Sequence, residues 1–414
     1  MKKILFLSST IFIVNLFAFD IDSAIKLSLQ NNNLIKENQT IVKENQEVLN
    51  GSKSVYMPKV DLKYTYDNKF KPHQGENKND STLNLDLTYN LFNGFKDENM
   101  IKSKYNNLQI SEYQYRTILL DIALQTKQEY IAYLKAQKNT YVQEKALKLF
   151  QKQYEDAKNF YDNGVNITLN NLLEVEISLL ESQKLLKEAI SNEKIAKQKL
   201  FTTIGKKVDE TIEDIPLQEQ EYLTVETTAK TLGLLSLIEY QDSLKNEQKV
   251  IKGNYYPKVD ATLQHKRYGD SVALNGIDGT SEPQNIALVE LSWNLFNGQK
   301  DKSDIVAHKH KINQVNYQIQ KYKDDLELQY MEAKEKLYLE KENLKISKKT
   351  FQQAKVNYNI VHNSFKEGII SSKDLIDANY LLSKSESTYH DTYYNNLLAI
   401  AELERLLEKG NKND

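Results

Sequence analysis

Two aspartates three residues apart, Asp374 and Asp377, follow the second of two long stretches free of glycine and proline. On a helix that spacing puts both carboxylates on one face. Crowded acids of this kind attract cations, repel anions and raise each other's pKa. Asp374 also has a structural reading, because Ser371 as N-cap with an acid three positions on forms a capping box at the positive end of a helix. Capping accounts for Asp374 and leaves Asp377 unexplained; 204 residues earlier the equivalent positions hold Asn170 and Leu173. Other chemistry is sparse. The chain has no cysteine, no phosphate-binding loop and no dinucleotide fingerprint. His308 and His310 flank Lys309, but i and i+2 point apart on a helix, so no metal site is expected. The many carboxylates on the helices offer no credible acid–base couple, so the expectation is no enzyme and no cofactor.

The elements that position these residues are spelled out twice. "YMPKVD" at residues 56–61 returns as "YYPKVD" at 255–260, and "YNLFNGFKD" at 89–97 returns as "WNLFNGQKD" at 293–301. Beyond each "NLFNG" the next Gly or Pro comes 70 positions on, from Gly94 to Gly164 and from Gly298 to Gly368. Each stretch, rich in Lys, Glu, Gln, Leu and Tyr, has the propensity of one unbroken helix, roughly 100 Å long at 1.5 Å per residue. Leu147, Phe150, Tyr154, Ala157 and Tyr161 step by threes and fours, as do Phe351, Ala354, Tyr358, Val361 and Phe365, a coiled-coil packing seam. Gly164 and Gly368 are then turns of antiparallel helical hairpins. The segments before each proline, about 21–56 and 226–256, read as helices that stack end to end with the return helices along the long ones.

The boundaries that follow are a leader at 1–18, a first repeat at 19–205, a linker at 206–225, a second repeat at 226–410 and a tail at 411–414. Within the first repeat, strands are expected at about 58–68 and 81–92, a long helix at about 95–162 and a return helix at about 170–204. Within the second, strands are expected at about 257–268 and 285–296, a long helix at about 299–366 and a return helix at about 372–408. The leader, "MKKILFLSSTIFIVNLFAFD", has two lysines, an apolar run and Ala18 as a small residue for cleavage, the pattern of a secretory signal. Without Lys2 and Lys3 the chain has 53 basic and 57 acidic residues, which argues against nucleic acid as a partner.

Between proline and "NLFNG" the period changes from helix to strand. Leu83, Leu85, Leu87, Tyr89 and Leu91 alternate with polar residues, and so do Val60, Leu62 and Tyr64 in the strand before. Strands of about 9–11 residues with one greasy and one wet face match membrane β-barrels. Tyr89, Phe92, Trp293 and Phe296 fall where such barrels carry an interfacial aromatic girdle. Four strands cannot close, since at least eight are needed; two, three or four chains would supply 8, 12 or 16. A structural coiled coil with a barrel anchor would place its strands once, at one end. Here they occur twice, each pair between helices, with short loops at about 67–81 and 268–285.

The doubled strand–loop–strand–"NLFNG" units, together with "FYDNGVNITLNNLLEVE" (160–176) and "FKEGIISSKDLIDANYLL" (365–382), resemble the TolC family of outer-membrane factors over the whole mature chain. The resemblance implies a mostly α fold with a membrane β-barrel portion: a homotrimer with a 12-stranded barrel on a long α-helical tunnel across the periplasm. It implies an exit duct for efflux pumps or type I secretion systems in the outer membrane of a Gram-negative bacterium. The implied partners are outer-membrane lipid, a periplasmic adaptor and an inner-membrane transporter. Asp374 and Asp377 match acidic residues that constrict the family's periplasmic mouth. The turns Asn163-Gly164-Val165 and Glu367-Gly368-Ile369 match its adaptor-contacting tips. Where described family members tie their closed gate with a Tyr and an Arg, this chain has Phe365 and Ile370, so that lock does not carry over.

Overall fold

The computed structural model describes residues 19–74, 77–164, 167–207, 211–216, 230–274, 276 and 282–408. The expected leader, Val165, the tail and most of the linker lie outside them. The described chain runs α1 (Ile21–Asn31), α2 (Asn33–Ser52), β1 (Lys59–Asn68), β2 (Asn79–Asn93), α3 (Lys96–Asp162), α4 (Leu169–Ile204), α5 (Leu232–Lys252), β3 (Lys258–Gly269), β4 (Gln284–Ser292), α6 (Lys300–Lys366) and α7 (Ser372–Leu406). Two compact units form, and neither is a repeat. One takes the described residues of 1–36, 118–229 and 326–414; the other takes 37–117 and 230–325. Each unit is therefore assembled from both repeats, because the long helices α3 and α6 pass through both.

The helices before the prolines are less continuous than their sequence suggested. Asn32 leaves the helical region with ψ 128°, and its side-chain Oδ1 accepts from Leu34 N at 2.9 Å. This local turn, which asparagine favours, separates α1 from α2. A single 3₁₀ turn then leads to each strand, over Lys53–Tyr56 and Gly253–Tyr255.

In the unit of 37–117 and 230–325, the four strands form one antiparallel sheet in the order β1-β2-β3-β4. Leu62 lies opposite Leu85, Leu85 opposite His265, and Leu87 opposite Leu263, so side chains of like parity share a face across the sheet. A bulge interrupts β2 between Asn90 and Phe92, and Phe92 rather than Leu91 takes the place opposite Val259. The alternation that put Leu91 in the apolar row is thus corrected: the extra residue shifts that position to Phe92. β4 ends at Ser292, four residues short of the expected 296. Among the described residues it is the sheet's last strand, and its outer edge has no partner there.

The other unit has its core where α1, α3, α4, α7 and the linker segment meet. Ala24, Tyr130, Ile131, Leu134, Leu200, Ile204, Tyr394 and Leu397 cluster with Phe19 and Ile212. Along α3 the buried row is Val142, Ala146, Phe150, Gln153 and Ala157. The expected seam shares Phe150 and Ala157 with it; Tyr161 is exposed, and a buried glutamine lies where Tyr154 was expected. In α6, Ala354 and Phe365 are buried as expected of a packing stripe.

Candidate functional site

The repeated "FNG-x-KD" phrase builds the same joint between strand and helix at both places. The Asn93 amide donates to Asp97 Oδ1 at 3.0 Å, and the Asn297 amide donates to the Asp301 carboxylate. Each aspartate lies in the first turn of its long helix, where the helix dipole favours an acid. Asp301 is also reached by the Asn254 amide at 2.7 Å. Gly94 and Gly298 have φ of 62° and 69°, and the residues after them, Phe95 and Gln299, are left-handed too. Only Gly94 is pressed from outside: a Cβ there would stand 2.3 Å from the Gly253 carbonyl oxygen, whereas a Cβ on Gly298 would meet nothing.

The sheet's apolar face carries Val60, Leu62 and Tyr64 of β1, Leu83, Leu85 and Leu87 of β2, Ala261 and Leu263 of β3, and Val289 and Leu291 of β4. Its other face is polar and ordered by side-chain bonds: Gln264 donates to Asp86 Oδ1 at 2.6 Å, and Thr88 and Thr262 hydroxyls lie 3.5 Å apart. Of the expected girdle, Tyr89 and Phe92 sit on the apolar face near the helix end of β2. Phe92 packs edge-on against Phe95 at 5.2 Å, and Phe95 against Tyr256 at 5.7 Å. Trp293 and Phe296 lie beyond β4 and are exposed. The Trp293 indole N–H donates to the Tyr255 carbonyl at 3.1 Å, which fixes the ring at the same end of the sheet.

At the hairpin tips, Phe160 and Phe365 meet with ring centroids 6.0 Å apart, bringing the two turns side by side. The second turn is a Schellman motif: Gly368 N–H reaches the Phe365 carbonyl at 2.9 Å and Ile369 N–H the Ser364 carbonyl at 3.0 Å. In the first, Gly164 N–H reaches the Tyr161 carbonyl at 3.1 Å and the Asn163 amide caps Asn159 O at 2.7 Å. Gly164 and Gly368 have φ near 70°, and neither is crowded, so conformation alone calls for glycine there. Asn163, Glu367 and Ile369 are all exposed; Val165 lies outside the described residues.

Asp374 and Asp377 occupy the exposed side of α7 immediately after this turn. Asp374 is the third residue of a complete capping box: Ser371 Oγ donates to its Oδ2 at 2.6 Å, Ser371 N–H donates to the same oxygen at 3.0 Å, and Asp374 N–H donates back to Ser371 Oγ at 3.3 Å. The Ser371 hydroxyl and backbone hold this carboxyl below its ordinary value. Asp377 has no part in the cap. It borders a cavity of about 360 Å³ between α3, α4 and α7, with Phe150, Ser182, Tyr380 and Lys384. The corresponding helix α4 begins with Thr168, whose hydroxyl accepts from Asn171 N–H at 3.3 Å, so the first tip is capped without an acid.

Sequence reasoning missed a tyrosine belt that holds the linker. Tyr130 Oη lies 2.8 Å from the Phe19 carbonyl and 2.7 Å from that of Glu213. Tyr393 donates to Ile215 O at 2.7 Å and Tyr394 to Asp214 Oδ1 at 2.9 Å. Burial pushes the Tyr130 and Tyr394 phenols well above their ordinary value. The chain has 26 tyrosines, and nothing in their spacing singles out these three. Among the described residues no cluster of ligands could hold a metal ion, and no helix is long and apolar enough to cross a membrane.

This architecture is that of outer-membrane channels. It superposes on CusC with a TM-score of 0.83 at 11% identity, covering 94% of this chain and 92% of that one. VceC from Vibrio cholerae gives 0.81 at 15%, over 94% and 95%. The Campylobacter jejuni CmeC outer membrane channel gives 0.82 at 15%, over 94% and 85%. No curated protein matches the chain by sequence. The family model described as outer membrane efflux protein matches residues 24–206. That match spans less than half of the chain, and over 94% of its length the chain has the fold of these solved channels.

Proposed function

We propose that the chain is the outer-membrane exit duct of a tripartite efflux pump or type I secretion system, a passive conduit with an acidic periplasmic mouth. One observation carries this reading: a four-stranded meander with one apolar face, one polar face and, among the described residues, two unpaired edges, set between long helices. An exposed edge with an exposed apolar face is a liability for a lone sheet. Because the strand number is even, β1 and β4 run antiparallel, and β4 of one copy can pair with β1 of the next in the sense that every other joint of the sheet uses. Three copies close a 12-stranded barrel in this way, with the apolar face toward lipid and the Asp86 face toward the lumen.

Channels of this family are generally trimeric and work with pump partners, and they are conduits rather than enzymes. For this chain the partners are a periplasmic adaptor, meeting Asn163-Gly164-Val165 and Glu367-Gly368-Ile369, and an inner-membrane transporter that supplies the energy. Asp374 and Asp377 from each copy form a cation-selective ring at the mouth. The test is expression in a Gram-negative host lacking its own exit duct, with a fluorescent dye as cargo and a compatible adaptor and transporter supplied. Extrusion is expected from the wild-type chain and not from a variant lacking 163–165 and 367–369. Barrel insertion with equal extrusion by both would refute tip docking, and absence of extrusion by the wild type would refute the duct.

A further inference from the structure

The apolar face of the sheet carries a guanidinium. Leu263, His265 and Arg267 follow one another at every second position of β3, and the register sets Arg267 opposite Leu83, which lies opposite Tyr64. His265 is engaged: its Nδ1 lies 2.7 Å from Asn285 Oδ1. Arg267 is exposed and has neither hydrogen bond nor ion pair among the described residues. On the polar face Lys59 is held by Asp61 and Lys258 by Asp260, each at 2.7 Å.

The position of Arg267 along the strand is informative. Val259, opposite Phe92, marks the aromatic end of the apolar face. Eight residues separate it from Arg267, about 26 Å along a strand and roughly 20 Å in height at barrel tilt, close to the ~25 Å of an apolar band. An arginine on a lipid-facing surface costs most at the midplane and least at the interface. Arg267 therefore stands at headgroup depth on the side away from the helices. The row beyond it is closed by the loop after β3: a Cβ on Gly269 would meet the Ala273 carbonyl at 2.3 Å, and Tyr64 Oη donates to Val272 O at 2.7 Å. The same rim carries Phe70, 95% exposed, two residues past the end of β1.

We infer that Arg267 binds the phosphate of an anionic lipid in the leaflet facing the strand loops, with Phe70 seated at the boundary with the acyl chains. A guanidinium matches a phosphate through two parallel N–H···O bonds, and phosphates are the abundant anions at that depth. The inference rests on the barrel reading above, and its test separates the two. Full-length protein is placed in phosphatidylcholine bilayers containing diphosphoryl lipid A, and the lipid A retained per protomer is counted by native mass spectrometry. Arg267→Gln is expected to weaken retention about tenfold, and Arg267→Lys to recover part of it. In a Trp293→Phe background, Leu263→Trp should be quenched by lipids brominated in mid-chain and Phe70→Trp by lipids brominated near the headgroup. Absence of quenching at position 263 would overturn the barrel. Quenching there, with lipid A retained by Arg267→Gln as by wild type, would overturn the phosphate site alone.

Discussion

The amide of Asn379 on α7 donates to Gln153 Oε1 on α3 at 2.7 Å, and both side chains are almost wholly buried. Gln153 passes the link on, donating to the Ser372 carbonyl at 3.2 Å. The long helix of one repeat is thereby tied to the return helix of the other, just behind the tips. Further along, Lys145 pairs with the buried Glu386 at 2.6 Å. The Gln153–Asn379 tie lies closest behind the turn where Phe365 and Ile370 provide no polar lock. A buried polar group left without its partner costs about 1–3 kcal/mol, whereas replacing both partners by apolar groups is close to neutral. Gln153→Leu should therefore destabilise the protein by about that amount, and the double variant with Asn379→Leu should recover much of it. Denaturant midpoints of the three proteins check this; a double variant less stable than the single one would contradict it.

Gly94 and Gly298 open the two long helices from the same phrase, yet they should respond differently to substitution. Alanine at either position must adopt a left-handed backbone, at a cost of about 1 kcal/mol. At Gly94 the new methyl also meets the Gly253 carbonyl, and overpacking of this kind adds about 1–3 kcal/mol. Gly94→Ala is expected to lower the denaturation midpoint clearly more than Gly298→Ala, and equal effects would show that the contact with Gly253 has no energetic weight.

The sequence showed the large elements because their signals are long. An interval of 69 residues without Gly or Pro leaves few alternatives to a helix, and strict alternation over Leu83, Leu85 and Leu87 leaves few to a half-buried strand. It showed least where one residue decides. The asparagine run at 31–33 is compatible with a helix until the Asn32 side chain turns back to Leu34. The bulge at Leu91 preserves composition while shifting Phe92 onto the apolar face. Gln153 resembles any surface glutamine, and only its partner Asn379, 226 positions away, makes it a core residue. The capping box of Ser371 and Asp374 was legible from its spacing and is present in full, whereas for Asp377 the spacing showed only that it shares a helix face with Asp374.

The tyrosine belt gives the linker a pH dependence. Burial raises the Tyr130 and Tyr394 phenols above their ordinary value of 10.0. Groups whose folded pKa is raised contribute stability that is complete below the unfolded value and declines as the pH climbs past it. Stability should therefore fall above about pH 10, and Tyr130→Phe with Tyr394→Phe should flatten that fall. At neutral pH Tyr130→Phe alone should cost about 1–3 kcal/mol, since it removes the buried phenol O–H that lies between the Phe19 and Glu213 carbonyls. Hydrogen exchange over 211–216 reads the local effect, and unchanged protection there would remove the belt from this account.

Asp374 is bound into its cap, and its depressed carboxyl keeps that role above the ordinary carboxylate range, losing it only as the pH falls through the lowered value. Protection of the first turn of α7 should accordingly persist at pH 5 in the wild type. Asp374→Ala should lose it at every pH, as followed by hydrogen exchange at Leu375 and Ile376; equal protection in both proteins would leave the capping box without effect.

Asp377 has no such duty, so Asp377→Asn tests the proposed acidic mouth without disturbing the helix cap. The most direct measurement is single-channel recording of the wild-type protein and Asp377→Asn in a planar bilayer. Discrete cation-selective steps are expected from the wild type, with reduced cation preference and higher resting conductance in the variant. Silence from both proteins, with the sheet shown to be inserted in the bilayer, would contradict a conduit and leave the barrel as an anchor.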